Sequence, residues 1–359
     1  MSLPFLPETA AQLCPVALAP MAGFTDAAMR RISFRHGASL AFTEMANARA
    51  LVRGCNETWR LLETFDDEGP VVAHIYGSEP EIMAEAAVKI AATGRFVAVD
   101  INAGCPARKI VSQGYGVSLM KRPELLAAIV STICSAVKLP VMVKTRLGLK
   151  ADKILIFEIL DAVTAAGAAA LTLHARYATQ EHTGTVHLQM LAETKQKARI
   201  PIIGNGGIRN GCDAKRMFDE TGVNGLMIGR GAMGNPWIFG EVQQFVNGVK
   251  HDTAAMGDID ELDAIRSCLQ AHIASAVELQ QRMAQRWPRT RGELPSEESL
   301  ARAFRCHLFR YLNGLKGASY LRGKMGELNS LKEIYAAVDA CLAREMTFRQ
   351  RRRHCNNPA

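Results

Sequence analysis

One cysteine, Cys105, stands between a glycine and a proline directly after an apolar run, Phe96–Ile101, that has the composition of a buried strand. Two cationic residues, Arg108 and Lys109, follow it. A thiol at a strand end with cationic neighbours is a candidate reactive group, because a nearby cation stabilises the thiolate. An inert, half-buried cysteine is the alternative. The reactive interpretation is favoured because seven other strand-like runs also end in polar residues.

Two glycine-rich turns follow the last two of these runs, Asn205-Gly206-Gly207 and Gly229-Arg230-Gly231. Glycine lets the backbone approach a phosphate closely, and an arginine can add a bidentate contact. Either turn alone could be an ordinary tight turn. Because the pair occurs where barrels of alternating strands and helices commonly bind phosphate, it indicates a phosphorylated cofactor.

A lysine, Lys144, lies inside the apolar run Val141–Thr145. An isolated buried ammonium is costly, so Lys144 needs a partner. It could form a Schiff base, belong to a structural salt bridge, or face a cofactor. The phosphate turns favour the third interpretation, since a cation beside a flavin would stabilise the anionic reduced ring. A lone histidine in a strand is usually a core residue. Because His174 and Arg176 occur together at a strand end, we expect both at the site.

These residues end short apolar runs that alternate with helical patterns. The predicted strands are Val16–Ala19, Leu40–Glu44, Val71–Ile75, Val97–Ile101, Val141–Thr145, Ala170–His174, Pro201–Gly204 and Gly225–Ile228. The predicted helices are Asp26–His36, Glu79–Thr93, Pro123–Val137, Lys153–Ala166, His187–Ala198, Cys212–Thr221 and Pro236–Val246. Eight such units predict a (β/α)8 TIM barrel with its chemistry at the carboxyl ends of the strands. A doubly wound open sheet would instead carry G-x-G-x-x-G after the first strand, where this chain reads Pro20-Met21-Ala22-Gly23.

Composition narrows the class of protein. The chain has 359 residues and is 48% hydrophobic, which suits one large domain, residues 1–245, and a smaller one, residues 246–359. No signal peptide or membrane span is expected. The nine cysteines include no C-x-x-C pair, so neither a metal site nor a disulfide framework is predicted, and a cytoplasmic location fits best.

The smaller domain is the more basic one. Residues 246–359 carry 18 Lys and Arg against 13 Asp and Glu, a net charge of +5, whereas residues 1–245 carry the remaining +3. After a linker with Gly248 and Gly257, helical patterns cover Asp260–Arg286, Ser296–Asn313 and Gly326–Arg344. They predict an all-α bundle with a basic face suited to a polyanion, followed by a basic tail, Arg349–Arg353.

The motifs together resemble those of the bacterial tRNA-dihydrouridine synthases. The matching stretches are Ala19–Asp26, Asp100–Pro106, Val143–Gly148, Leu173–Arg176, Ile203–Ile208 and Met227–Ala232. They keep the family's order and spacing over most of Val16–Phe239. The stretch Leu300–Leu312 is similar to the B-type enzymes, which would make U17 of the tRNA D loop the target.

The resemblance implies an FMN-bearing barrel, a helical domain that holds tRNA, and a role for each site residue. Cys105 would be the catalytic acid, with Asn102 and Arg176 near the uracil and Arg302, Arg305 and Arg310 on the tRNA backbone. The implied FMN contacts are Pro20, Met21, Ala22, His74, Lys144, His174, Asn205, Gly206, Gly207, Gly229 and Arg230. The chain departs from the family at His74, where the family has Gln, and at Tyr177, where it has Thr.

The implied reaction reduces the C5=C6 bond of a uridine in tRNA, with hydride from FMN that NADPH or NADH has reduced, and a proton from Cys105. Two alternatives remain. One is an FMN barrel that reduces or oxidises a free pyrimidine-like molecule, against which the basic bundle argues. The other is a non-catalytic tRNA-binding protein, against which Cys105 and Lys144 argue.

Overall fold

Eight parallel strands close into a barrel in this chain. We describe a computed structural model, in which residues 3, 13–249, 258–288 and 296–356 are placed. The strands are β1 (Val16–Leu18), β2 (Leu40–Phe42), β3 (Ala46–Asn47), β4 (Val71–Tyr76), β5 (Ala98–Asn102), β6 (Val141–Arg146), β7 (Gly148–Lys150), β8 (Lys153–Ile154), β9 (Ala170–His174), β10 (Ile202–Asn205) and β11 (Gly225–Ile228). The order of the main sheet is β2-β1-β11-β10-β9-β6-β5-β4-β3. The short β3 pairs with β4, and a β2–β4 pairing closes the other eight strands into a ring. The predicted (β/α)8 barrel is therefore confirmed and the open sheet is excluded.

Helices cover the outside of the barrel and then form a bundle. Those of the barrel are α1 (Ala27–Arg35), α2 (Ala48–Val52), α3 (Asn56–Arg60), α4 (Pro80–Ala91), α5 (Arg108–Val111), α6 (Pro123–Ala136), α7 (Ile156–Ala165), α8 (Leu188–Lys197), α9 (Gly211–Thr221) and α10 (Ile238–Asn247). Those of the bundle are α11 (Asp258–Arg286), α12 (Glu297–Tyr311), α13 (Ala318–Lys324) and α14 (Leu331–Asn356). Most of the predicted linker, residues 250–257, lies outside the described residues.

Two helix predictions were wrong at their boundaries. The helix predicted from Lys153 begins only at Ile156, because Lys153 and Ile154 pair with β7 in an antiparallel hairpin. The helix predicted over Gly326–Arg344 begins at Leu331 and continues to Asn356. The arginines predicted as a tail therefore lie on the last turns of α14, where Arg349 pairs with Glu261 and Glu345.

The inside of the barrel has an apolar floor and a polar upper part. Eleven buried apolar side chains form a cluster separate from the main core: Leu3, Ala17, Ala19, Leu40, Phe42, Val72, Ala98, Met142, Ala170, Ile203 and Met227. Side chains alternate along a strand, so residues two positions further share the inward face. In β5 and β6 these are Asp100, Asn102, Lys144 and Arg146. The barrel thus presents polar groups only towards the carboxyl ends of its strands.

A second core joins the bundle to the barrel. Ala27, Ala28 and Ile32 of α1 pack in one cluster with Leu262 and Leu269 of α11. A buried carboxylate reinforces this contact: Glu63, which is 1% exposed, accepts hydrogen bonds from Arg286 Nη1 at 2.8 Å and Trp287 Nε1 at 2.7 Å. A buried charge that lost its partners would be costly, so these contacts hold the barrel and the bundle together.

Two further findings concern the described residues only. No helix among them is long and apolar enough to cross a bilayer. No group of three or more His, Cys, Asp or Glu side chains in this part of the chain is arranged to bind a metal ion.

Candidate active site

The loop that carries Cys105 is held by side chains from β5 and β6. Asn102 Oδ1 accepts hydrogen bonds from the backbone N–H groups of Gly104 at 3.1 Å and Cys105 at 3.0 Å. Arg146 Nε donates to the Gly104 carbonyl at 2.8 Å. Asn102, predicted near the uracil, therefore organises the loop with its oxygen and directs its amide nitrogen at Met45 Sδ, 3.4 Å away.

The backbone at Gly116 and Val117 packs closely against Cys105 from the other side. Val117 N–H donates to the Cys105 carbonyl at 3.1 Å. Gly116 has φ +59°, and a Cβ there would lie 2.4 Å from that carbonyl oxygen, so only glycine fits. The thiol remains half-buried. Lys144 and Arg146 lie nearby: burial lowers the pKa of both, and a charge on the Cys105 sulfur would oppose this.

Lys144 is a partly buried cation with no carboxylate at salt-bridge distance among the described residues. Its Nζ donates to Asn205 Oδ1 at 3.2 Å, and Asn205 Nδ2 donates to the Met227 carbonyl at 2.7 Å. Burial, followed by repulsion from Arg146, lowers the pKa of Lys144 to about 8. Within the described chain Lys144 makes no salt bridge, which removes the structural salt-bridge interpretation.

His174 and Arg176 lie together, as predicted. Arg176 Nη1 is 3.2 Å from His174 Nε2, and since arginine can only donate, that nitrogen must accept. Burial and the nearby cations Lys144 and Arg146 lower the pKa of His174 far below its ordinary value, so its imidazole is neutral. The remaining donors of Arg176, Nε and Nη2, bond the Gly184 carbonyl at 3.1 and 3.0 Å.

The two glycine turns pack closely against neighbouring side chains of the site. Gly206 has φ +118°, and a Cβ there would lie 2.9 Å from His174 Cδ2. Gly207 has φ +76°. A Cβ on Gly229 would lie 3.7 Å from both Ala19 and Met21, so this turn adjoins the loop after β1. Exposed Arg230 donates to the His182 carbonyl across the rim.

The loop after β1 carries Pro20, Met21 and Ala22. Met21 N–H donates to Thr25 Oγ1 at 2.9 Å, and Gly23 N–H donates to the carboxylate of Glu44. Burial raises the pKa of Glu44 to about 7, although the Gly23 hydrogen bond opposes the rise. Glu44 was not predicted as a site residue. Its position at the end of a buried strand was the available signal.

His74 is inside the barrel rather than on its rim. It is 3% exposed, and its Nδ1 lies 2.6 Å from Asp100 Oδ2. Asp100, which was not predicted as a site residue, is completely buried. Recognising the pair requires the register of two neighbouring strands, in which His74 stands opposite Asp100.

The charges at the mouth of the barrel are unbalanced. The cations there are Lys144, Arg146, Arg176 and Arg230, and in the described part of the chain none makes a salt bridge with a carboxylate. Clustered cations that are partly desolvated need anionic partners. A phosphorylated ligand with an electron-rich ring would supply such a partner.

The three arginines predicted to contact tRNA differ in their surroundings. Arg302 is exposed and pairs with Glu298 on the same helix. Arg305 donates to the Leu328 carbonyl at 2.8 Å and to Asn329 Oδ1 at 2.9 Å, so it secures the turn before α14. Exposed Arg310 lies beside the barrel mouth, because its backbone packs against Gly234.

Comparisons with known proteins agree on one family. The model of the dihydrouridine synthase (Dus) family matches residues 17–347. Probable tRNA-dihydrouridine synthase 1 of Synechocystis sp. is 34% identical over 330 residues, covering 91% of this chain and 86% of that protein. The tRNA-dihydrouridine synthase B of Pseudomonas aeruginosa is 32% identical over 322 residues, covering 89% and 90%.

A solved structure supports the fold alone. The 2-naphthoyl-CoA reductase complex superposes with a TM-score of 0.51 at 10% identity, covering 64% of this chain and 51% of that one.

Proposed function

The chain belongs to the dihydrouridine synthase family, whose members reduce uridine to dihydrouridine in tRNA. We propose that it carries out this reaction with FMN as the cofactor, NADPH as the reductant and Cys105 as the proton donor. The family makes it a flavin-dependent oxidoreductase. The identity of the flavin, the choice of NADPH over NADH and the role of each residue are parts of the proposal. We expect the reaction to take place in the cytoplasm, where tRNA and reductant are available.

The cation cluster and the glycine turns are the proposed flavin site. Gly206, Gly207, Gly229 and Arg230 would hold the phosphate, and Lys144 would face the ring with Asn205 and His174 beside it. Pro20, Met21 and Ala22 would line the site from β1. When bound and reduced, the flavin supplies the hydride that is added to C6 of the uracil.

Cys105 Sγ would give its proton to C5 of the same base. A general acid needs to be placed within reach and to hold a proton near neutral pH. Asn102, Arg146 and Gly116 restrict the position of the Cys105 backbone, which supports this role. Arg176 is proposed to lie by the uracil, although most of its donors are engaged with Gly184.

The tRNA would bind across the barrel mouth and the bundle. A uridine inside folded tRNA must leave its stack to enter a barrel. Helix α12 is next to the mouth: Phe24, which follows the β1 loop, packs edge-to-face on His307 at 5.3 Å between ring centroids. Arg302 and Arg310 on this helix would contact the RNA backbone. The similarity to B-type enzymes makes U17 the proposed target.

The unpaired cation cluster at the glycine turns is the observation that carries the proposal. Heat release followed by chromatography should yield FMN from the purified protein. Recovery of FAD, or failure to bind any flavin on reconstitution, would contradict it. Turnover of free uracil or orotate without tRNA would favour the small-molecule alternative, and a colourless protein that binds tRNA would favour the non-catalytic one.

A further inference from the structure

Two buried polar side chains face each other across strands β4 and β5. His74 and Asp100 are register partners on the inward faces of these strands, 3% and 0% exposed. His74 Nδ1 lies 2.6 Å from Asp100 Oδ2. The backbone N–H of His74 donates to Thr43 Oγ1 at 2.9 Å, which fixes the histidine from the other side.

The hydrogen bonds of this pair leave one atom of each residue unused. Asp100 Oδ1 has no partner in the described structure, so the single hydrogen bond of this carboxylate goes to His74. His74 Nε2 likewise makes no hydrogen bond within the described residues. Buried polar atoms are nearly always paired, so the unpartnered Asp100 Oδ1 marks this part of the barrel as a place for a bound group, which His74 Nε2 is free to contact.

The place of the pair in the barrel indicates which group that is. Asp100 precedes Asn102 by two residues on one inward face, and Asn102 is the register partner of Lys144. Burial lowers the pKa of Lys144 and the charge of Asp100 partly offsets this, as expected for side chains on neighbouring strands. His74 therefore lies in the polar upper part of the barrel, beneath the proposed flavin site.

We propose that Asp100 is a positioning residue that keeps a proton on His74 Nδ1, so that Nε2 accepts a hydrogen bond from the N3–H of the flavin pyrimidine ring. A carboxylate can only accept, which places the shared proton on Nδ1; in that tautomer Nε2 carries a lone pair. Loss of the carboxylate frees the ring to turn or to change tautomer. The inference rests on the proposed function, since it takes the bound group to be a flavin.

A double-mutant cycle on FMN affinity tests the coupling. We expect Asp100→Asn to weaken FMN binding by about tenfold, the size of one hydrogen bond. In a His74→Gln background the same change should have less than about a twofold effect, since the carboxylate would act only through the imidazole. The visible absorption of bound FMN should shift in His74→Gln and stay the same when Asp100→Asn is added.

A matched control is the other buried carboxylate that has an unpartnered oxygen. Glu68 pairs with Arg30 of α1, and its Oε1 lacks a partner in the described residues. Glu68→Gln should leave FMN affinity unchanged. Equal weakening by Asp100→Asn in both backgrounds would overturn the inference, because Asp100 would then act on Lys144 or on the fold.

Histidine ¹⁵N shifts in the wild-type protein test the inference even where Asp100→Asn does not fold. We expect His74 Nδ1 to be protonated with and without FMN, and the Nε2 signal to move when FMN binds. A protonated Nε2, whether Nδ1 is bare or also protonated, would overturn the assignment. Wild-type protein that binds no flavin at all would instead contradict the proposed function.

Discussion

At the scale of single residues, the site separates the group that reacts from the groups that position it. Cys105 is the one proposed to react, while Asn102 and Arg146 form hydrogen bonds that hold its loop. The sequence indicated Asn102 and Cys105 because both follow an obvious strand. The positioning roles of Arg146 and Glu44 depend on contacts between strands, which the order of residues in one chain does not disclose.

Cys105→Ala should keep FMN and tRNA binding but lose turnover by about 10²–10⁴-fold, the usual cost of removing a positioned general acid. Reoxidation of the reduced enzyme by tRNA in a single turnover measures it. Cys212→Ala, at an exposed cysteine of α9, is the control and should behave as wild type. Reoxidation at the wild-type rate in Cys105→Ala would mean that Cys105 is structural.

FMN binding should take up a proton at pH values just above 8. The pKa of Lys144 without ligand is about 8, below its ordinary 10.5, so above pH 8 the side chain is largely neutral. An anionic ligand favours the ammonium form and raises this pKa. Calorimetric titration in buffers of different ionisation enthalpy should show the uptake. It should vanish in Lys144→Met, and uptake that persists there would assign the proton to another group.

At the scale of elements, the strands that carry the site were easier to predict than the turns and short hairpins between them. All eight barrel strands were predictable, because strands buried on both faces are continuous apolar runs. The start of α14 was also within reach: Ser330 and Glu333 form a capping box, with Glu333 N–H donating to Ser330 Oγ at 3.2 Å. The β7–β8 hairpin was not, since its short polar strands carry no periodic signal.

Gly116→Ala should displace the Cys105 loop. The change adds strain at φ +59° and a contact with the Cys105 carbonyl, whereas Gly94→Ala adds strain at φ +65° in open space. Both should lower the free energy of unfolding by about 1–3 kcal/mol. Only Gly116→Ala should also lower turnover. We expect a loss of about tenfold or more, because a misplaced catalytic group reacts more slowly. Equal turnover in the two variants would show that the loop tolerates the shift.

At the scale of the whole molecule, the bundle is docked so that α12 adjoins the barrel mouth. Cys306 Sγ of α12 lies 3.9 Å from the Gly23 carbonyl, and Arg310 packs on Gly234. The sequence indicated a basic bundle but not this docking. The contacts of Glu63 with Arg286 and Trp287 join residues more than 200 positions apart, so no local pattern reveals them.

Replacing Arg302 and Arg310 together by alanine should weaken tRNA binding and leave FMN content unchanged. Each lost phosphate contact should flatten the salt dependence of binding by a slope of about 0.7–0.9. Arg305 is left intact because it secures the turn before α14. Arg216→Ala is the control, since Arg216 is an exposed, ion-paired arginine on the barrel. Unchanged affinity and slope would move the RNA surface elsewhere, for example to Arg351 and Arg352.

Formation of dihydrouridine by the purified protein tests the central claim most directly. Unmodified tRNA would be incubated with FMN-loaded protein and NADPH, then digested and its nucleosides measured by mass spectrometry. We predict one dihydrouridine in the D loop, formed only with tRNA and NADPH both present and lost in Cys105→Ala. Oxidation of NADPH without any dihydrouridine in the tRNA, or reduction of free uracil at a comparable rate, would contradict the account.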